Sequence, residues 1–225
     1  MVKFQRRKTE KAQAAIQSLN REMQKKNGTY NTPEVNDALQ EMFYKKCYLC
    51  ESKNVTAYVI EHLASAEGNQ RLRYDWNNLF LACAHCNGTK KKRHEPILDC
   101  TQAEVDRMIR FYKKGHWGTE EVFCFEACDS SVETVHTIAL LEEIYYGRTP
   151  QKEIESAHLR ENLRKELAQF KGYVRDYLEA DGEDKQDLYL LISRELSVRS
   201  AFTAFKRWLI RDNEAFLGEL VGLCR

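Results

Sequence analysis

The chain has 225 residues with 35 Lys and Arg against 34 Asp and Glu, a formal net charge of +1. Apolar residues make up 43% of it, enough for a real core in one large or two small domains. There is no apolar run near 18 residues and no signal-peptide core, which argues against a membrane span or an exported chain and predicts a soluble cytoplasmic protein.

Residues 1–26 carry Lys3, Arg6, Arg7, Lys8, Lys11, Arg21, Lys25 and Lys26 against only Glu10 and Glu22, a balance suited to a polyanionic partner. Ala12, Ala15, Ile16, Leu19 and Met23 recur near helical spacing between Lys8 and Lys25, predicting an amphipathic helix that Asn27-Gly28 stops. Thr32 with Pro33 starts a second helix, with Val35, Leu39, Met42 and Phe43 on one face, running into Cys47.

Cys47/Cys50 and Cys83/Cys86 are two pairs with two residues between partners. Each pair can turn both thiolates onto one ion, and together they complete the four-thiolate tetrahedron of a structural Zn2+ site. The 32 residues between Cys50 and Cys83 exceed the roughly 15 to 20 of a plain zinc ribbon, so something sizeable lies between the knuckles. Val55 to Ile60 is dense in β-branched and aromatic residues and reads as a strand delivering Glu61 and His62 at its end. Ser65 to Gln70 reads as a loop, Asn78 to Cys83 as the return strand, and Cys86 to Lys90 as the start of a short basic helix. With four of eight cysteines at metal spacing and Cys100, Cys124, Cys128 and Cys224 scattered, a reducing compartment is favoured over a disulfide framework. His85 and His94 are not expected to be ligands.

Beyond the core, Thr101 and Glu104 form a capping-box pattern that predicts a helix through Tyr112, ended by Gly115 and Gly118. Val122 to Phe125 is a strand candidate, and Val135 to Tyr146 an apolar helix closed by Gly147. From Gln151 to Arg225 the pattern is helical: one long helix to the Asp181-Gly182 turn, then Leu188 to Leu196, Ala201 to Ile210 and Phe216 to Leu223. These stripes read mainly as core. Arg194, Arg199, Lys206, Arg207 and Arg211 make either a basic face or an ordinary solvated surface. The whole is expected to be a mainly α chain of the α+β kind: N-terminal helices over residues 1–46, a small zinc-stabilised core over 47–100, and a helical region over 101–225 suited to partner docking.

The motif C47-x2-C50, E61-H62-L63, W76-N77-N78-L79, C83-x2-C86-N87 and Lys90 resembles the HNH endonucleases of the ββα-metal, treble-clef-like fold, in the subgroup with two CxxC knuckles. That resemblance implies His62 as general base, Glu61 and Asn87 as oxygen ligands of a catalytic Mg2+ or Mn2+, and Asn78 as the residue that holds the loop so that His62 is aimed. Many relatives have Asp at the position of Glu61 and His at that of Asn87. Lys90, Lys91, Lys92 and Arg93 would follow the phosphate backbone. The stretches K-C-Y-L-C-E, Y-D-W-N-N-L and I-L-D-C-T further resemble the PtuB-type effectors of Septu and related retron anti-phage systems, which implies an ABC-type ATPase partner of the PtuA kind. The expected function is a DNA endonuclease. An RNA or transfer-RNA nuclease is the alternative substrate reading, and a zinc-stabilised binding module without turnover is the alternative from another class.

Overall fold

The computed structural model describes residues 1–53, 55, 57–115 and 121–224. Helix α1 (Glu10–Met23) begins where Thr9 Oγ1 accepts from the Ala12 amide, and α2 (Pro33–Met42) where Thr32 caps Val35. The two helices pack together, and the buried Ser18 hydroxyl donates to Thr32 Oγ1 at 3.0 Å. Gly28 makes the return possible, since a Cβ there would fall 1.9 Å from the Glu22 carbonyl oxygen. Arg6 does not join a basic surface. Its guanidinium stacks over Trp76 and Phe80 and donates to the carbonyls of Asn77 and Leu79.

Strand β1 (Tyr58–His62) pairs antiparallel with β2 (Leu79–Cys83), Glu61 opposite Phe80 and His62 opposite Leu79. Glu61 and His62 are thus the last two residues of the strand itself, which starts later than the apolar run suggests; Thr56 lies outside the described residues. The connection holds one turn of helix, α3 (Gln70–Arg73), and a 3-10 turn at Trp76–Asn78. Cys83 caps α4 (Ala84–Thr89), completing strand, loop, strand, helix. The Tyr48 amide donates to the Leu81 carbonyl at 2.9 Å, seating the first knuckle on β2. Phe4, Phe43, Tyr48 and Phe80 fill the space beneath.

The helix expected from Thr101 to Tyr112 does not form. Asp99 takes the Thr101 amide and hydroxyl, only α5 (Val105–Met108) is helical, and β3 (Ile109–Lys114) follows, paired antiparallel with β4 (Val122–Ala127). Ile109 and Phe111 face inward while Arg110 and Tyr112 do not, a period of two that the local cap could not override once β4 supplied a ladder. Phe111, Phe125 and Tyr145 surround Phe205. The expected stop at Gly118 lies outside the described residues.

Helix α6 (Val132–Tyr145) is capped by Ser131, and the 30-residue α7 (Pro150–Glu179) by Thr149. Then come α8 (Gly182–Glu195), α9 (Thr203–Arg211) and α10 (Glu214–Val221), which close a second core around Phe170, Ile192 and Ile210. The basic run of this region is no surface patch throughout. Lys206 turns inward to Glu166 at 2.8 Å and Glu195 at 2.5 Å, and Arg207 and Arg211 converge on buried Asp106. Among the described residues no helix is long and apolar enough to cross a membrane.

Candidate metal centre and phosphodiesterase site

The four knuckle cysteines meet. Their sulfur atoms lie within 4.8 Å of one another and all four residues are buried. The Cys50 and Cys83 sulfurs are 3.9 Å apart, and a tetrahedron with Zn–S arms of 2.3 Å has edges of about 3.8 Å. The set therefore fits Zn2+ in size and in chemistry. Histidine is not part of it. His85, inside the second knuckle, faces Glu155 Oε2 at 2.7 Å and the Ile144 carbonyl at 2.8 Å, while His94 faces the Lys91 amide and Glu143.

Beside this clamp, β1 sends its last two side chains to different environments, as a period of two requires. His62 is part-exposed, and its Nε2 sits 3.1 Å from the carbonyl oxygen of Arg73. The Tyr30 ring and the imidazole meet in a T-shaped contact with centroids 4.7 Å apart, and the Arg73 guanidinium lies over the Tyr30 and Tyr74 rings. Burial lowers the His62 pKa, helped by the charges of Lys90 and Arg73 and opposed by the Arg73 carbonyl, so the ring favours its neutral form.

Asn78 supports the turn that follows His62. Its Oδ1 accepts from the Ala64 amide at 2.8 Å, and its Nδ2 donates to the carbonyls of Ala64 and Leu72 at 2.9 and 3.1 Å. Its backbone carbonyl also takes the Leu63 amide at 2.9 Å. All four contacts fix chain direction on either side of the imidazole.

Glu61 points the other way and is 7% exposed. Tyr48 donates its hydroxyl to Oε2 at 2.7 Å, and the Lys90 ammonium lies 2.9 Å from Oε1. Burial pushes this carboxyl above its usual range, and Lys90 offsets only part of that shift. Lys90 is not the outward phosphate contact that its place in a basic run suggests. Its side chain is 4% exposed, and besides Glu61 it reaches Glu95 Oε1 at 3.1 Å and the His62 carbonyl at 2.9 Å. Lys91, Lys92 and Arg93 are exposed, with Arg93 held to Glu143. Asn87 is exposed on α4 and shares no hydrogen bond with Glu61 among the described contacts.

Sequence reasoning missed Tyr48, Glu95, Tyr30 and Arg73. Tyr48 carried one signal, a bulky hydroxyl between two metal-spaced cysteines; the others reach the site only through the folded loops. Glu95 is tied in by the Ser65 amide, 3.0 and 2.9 Å from its two carboxylate oxygens.

A four-sulfur clamp around two strands and a helix, with a histidine at the strand end and an asparagine pinning its loop, is the layout that the motif implied. Residues 47–93 match the HNH endonuclease family model. The HNH segment thus runs from the first zinc-spaced cysteine to the end of the basic stretch. The chain is also similar to two proteins named Septu protein PtuB. One, from Bacillus mycoides strain KBAB4, is 40% identical over 115 residues, covering 44% of this chain and 37% of that protein. The other, from Bacillus thuringiensis, is 26% identical over 136 residues, covering 56% and 49%. The chain spans less than half the length of either relative. No solved structure matches it.

Proposed function

We propose that the chain is an HNH endonuclease that hydrolyses phosphodiester bonds of DNA, with His62 as the general base. The observation that carries this reading is the hydrogen bond of the His62 ring to the Arg73 carbonyl. A carbonyl can only accept, so Nε2 holds the hydrogen and the lone pair lies on Nδ1. A water molecule beside Nδ1 gives up its proton there as its oxygen attacks phosphorus. Asn78 keeps the ring aimed, and Tyr30 limits its rotation.

Glu61 and Asn87 are the residues that would hold a catalytic Mg2+ or Mn2+. The fit is in the chemistry of the donors: a carboxylate and an amide oxygen suit a hard cation, and Glu61 already faces a cationic group in Lys90. When bound, such an ion supplies positive charge to the phosphate and the leaving oxygen. Lys91, Lys92 and Arg93, exposed after α4, would grip the phosphate backbone.

The likeness to the Septu proteins supports a role in anti-phage defence; the reading adds an ABC-type ATPase of the PtuA kind as partner and residues 101–225 as its docking region. The test is cleavage of plasmid DNA and of total RNA by the wild-type and His62→Ala proteins, with Mg2+ or EDTA, with and without the ATPase. Metal-dependent cutting of DNA that needs His62 is the expected result. Cutting of RNA alone would move the substrate, and equal cutting by His62→Ala would overturn the assignment of the base.

A further inference from the structure

Lys90 has three ammonium hydrogens and three oxygen partners: Glu61 Oε1 at 2.9 Å, Glu95 Oε1 at 3.1 Å and the His62 carbonyl at 2.9 Å. Two carboxylates and a carbonyl converging on one cationic atom form the donor set that a hard divalent ion takes. The two carboxylates are not equally free to adjust. Tyr48 pins the second oxygen of Glu61, and the Ser65 amide bridges both oxygens of Glu95. The lysine stem is the flexible member of the group.

Given the reading of Glu61 as a ligand of the catalytic ion, we propose that Lys90 is a displaceable resident cation of the Glu61 carboxylate, and that Glu95 is the carboxylate that keeps the ammonium when a divalent ion claims Glu61. An ammonium and a divalent ion cannot both sit against Oε1, because like charges at such a distance repel strongly in a site this shielded from water. Glu61 and Glu95 hold their places, so Lys90 moves. It gives up Glu61 and retains Glu95, which spares it from being buried without a partner. The divalent ion is thus taken up in competition with the chain's own lysine, and Glu95 biases that competition.

The experiment is Mn2+ binding to the zinc-loaded full chain, followed by electron paramagnetic resonance of the free ion, with no substrate present. Lys90→Met should tighten binding and Glu95→Gln weaken it, each by about tenfold, the size of an ordinary coupling between sites. In the Lys90→Met background, Glu95→Gln should lose most of its effect, because the lysine it acts through is gone. Zinc content and circular dichroism report on folding, and Glu95→Gln carries the test by itself should Lys90→Met not fold. Glu61→Gln separates the two readings. If it removes the Mn2+ site while Lys90→Met and Glu95→Gln bind like wild type, the competition is refuted and Glu61 stands as a ligand. If Glu61→Gln binds Mn2+ unchanged, the ligand reading fails and the proposal falls with it.

Discussion

The Nε2 of His62 and the carbonyl oxygen of Arg73 are 3.1 Å apart, and the second residue comes from the short helix that the loop between the two strands carries. This one contact sets the tautomer of the neutral ring and leaves the Nδ1 lone pair as the one that the proposed base would use. Replacing His62 with alanine should lower the cleavage rate by about 100-fold or more, the usual contribution of a positioned base, with zinc content unchanged. A single-turnover assay on plasmid DNA measures it.

The same contact bears on pH. Burial lowers the imidazole pKa, the Arg73 carbonyl opposes that shift, and the charges of Lys90 and Arg73 add to it. A base works when neutral, so kcat/KM should be level above the lowered value and fall as pH drops through it. That acid limb should lie below the ordinary histidine value of about 6.5. A limb centred above neutrality would contradict the environment described for this ring.

Asn78→Ala removes three hydrogen bonds at once and leaves the Ala64 amide and carbonyl without their partner, while the Leu72 carbonyl keeps the Asp75 amide. Leaving such groups unpaired should destabilise the chain by about 2–3 kcal/mol, read from urea unfolding. Cleavage should fall with it while zinc stays bound. Unchanged unfolding and unchanged cleavage would remove Asn78 from the support of His62.

Cys83→Ser should act through the metal. The residue is both a member of the four-sulfur group and the cap of α4, whose Cys86 amide reaches its sulfur at 3.5 Å. Loss of zinc should unfold the HNH segment, since binding and folding are one equilibrium at such sites. Zinc content and far-ultraviolet circular dichroism should fall together. A variant that loses cleavage but keeps both would argue for a different role.

Lys91→Ala and Lys92→Ala should weaken nucleic-acid binding to a similar degree on every sequence. Each should reduce the slope of log K against log salt by about one, as for a lost phosphate contact. Fluorescence anisotropy over a salt series gives the slope. A slope that does not change would take these exposed lysines out of the backbone grip.

Much of the centre was legible because its signals are local. Two cysteine pairs, a charged dipeptide after a β-rich run, and the cap at Thr32 are each written within a few residues. What was hidden depends on distant partners. The Thr101 cap pattern is genuine as a pattern, yet Ile109 to Lys114 gains more from pairing with β4 than from continuing a helix. Lys90 sits in a run of four basic residues, and nothing local says that it alone turns inward, because Glu61 and Glu95 are brought to it by β1 and by the turn after α4. Lys206 and Arg207 read as surface cations for the same reason: the acids they turn inward to meet, Glu166 and Asp106, are 40 and 101 residues away.

The side chain of His85 reaches α6 through the Ile144 carbonyl and α7 through Glu155, and Lys152 closes the loop by donating to the His85 carbonyl at 3.2 Å. Helix α4, which carries Asn87 and leads into Lys90, is therefore bolted near the first turns of a rod about 45 Å long. Because α4 itself contains Cys86 and is capped by Cys83, the rod and the second zinc knuckle are one mechanical unit, and a displacement of the first turns of α7 is felt at the sulfur cluster.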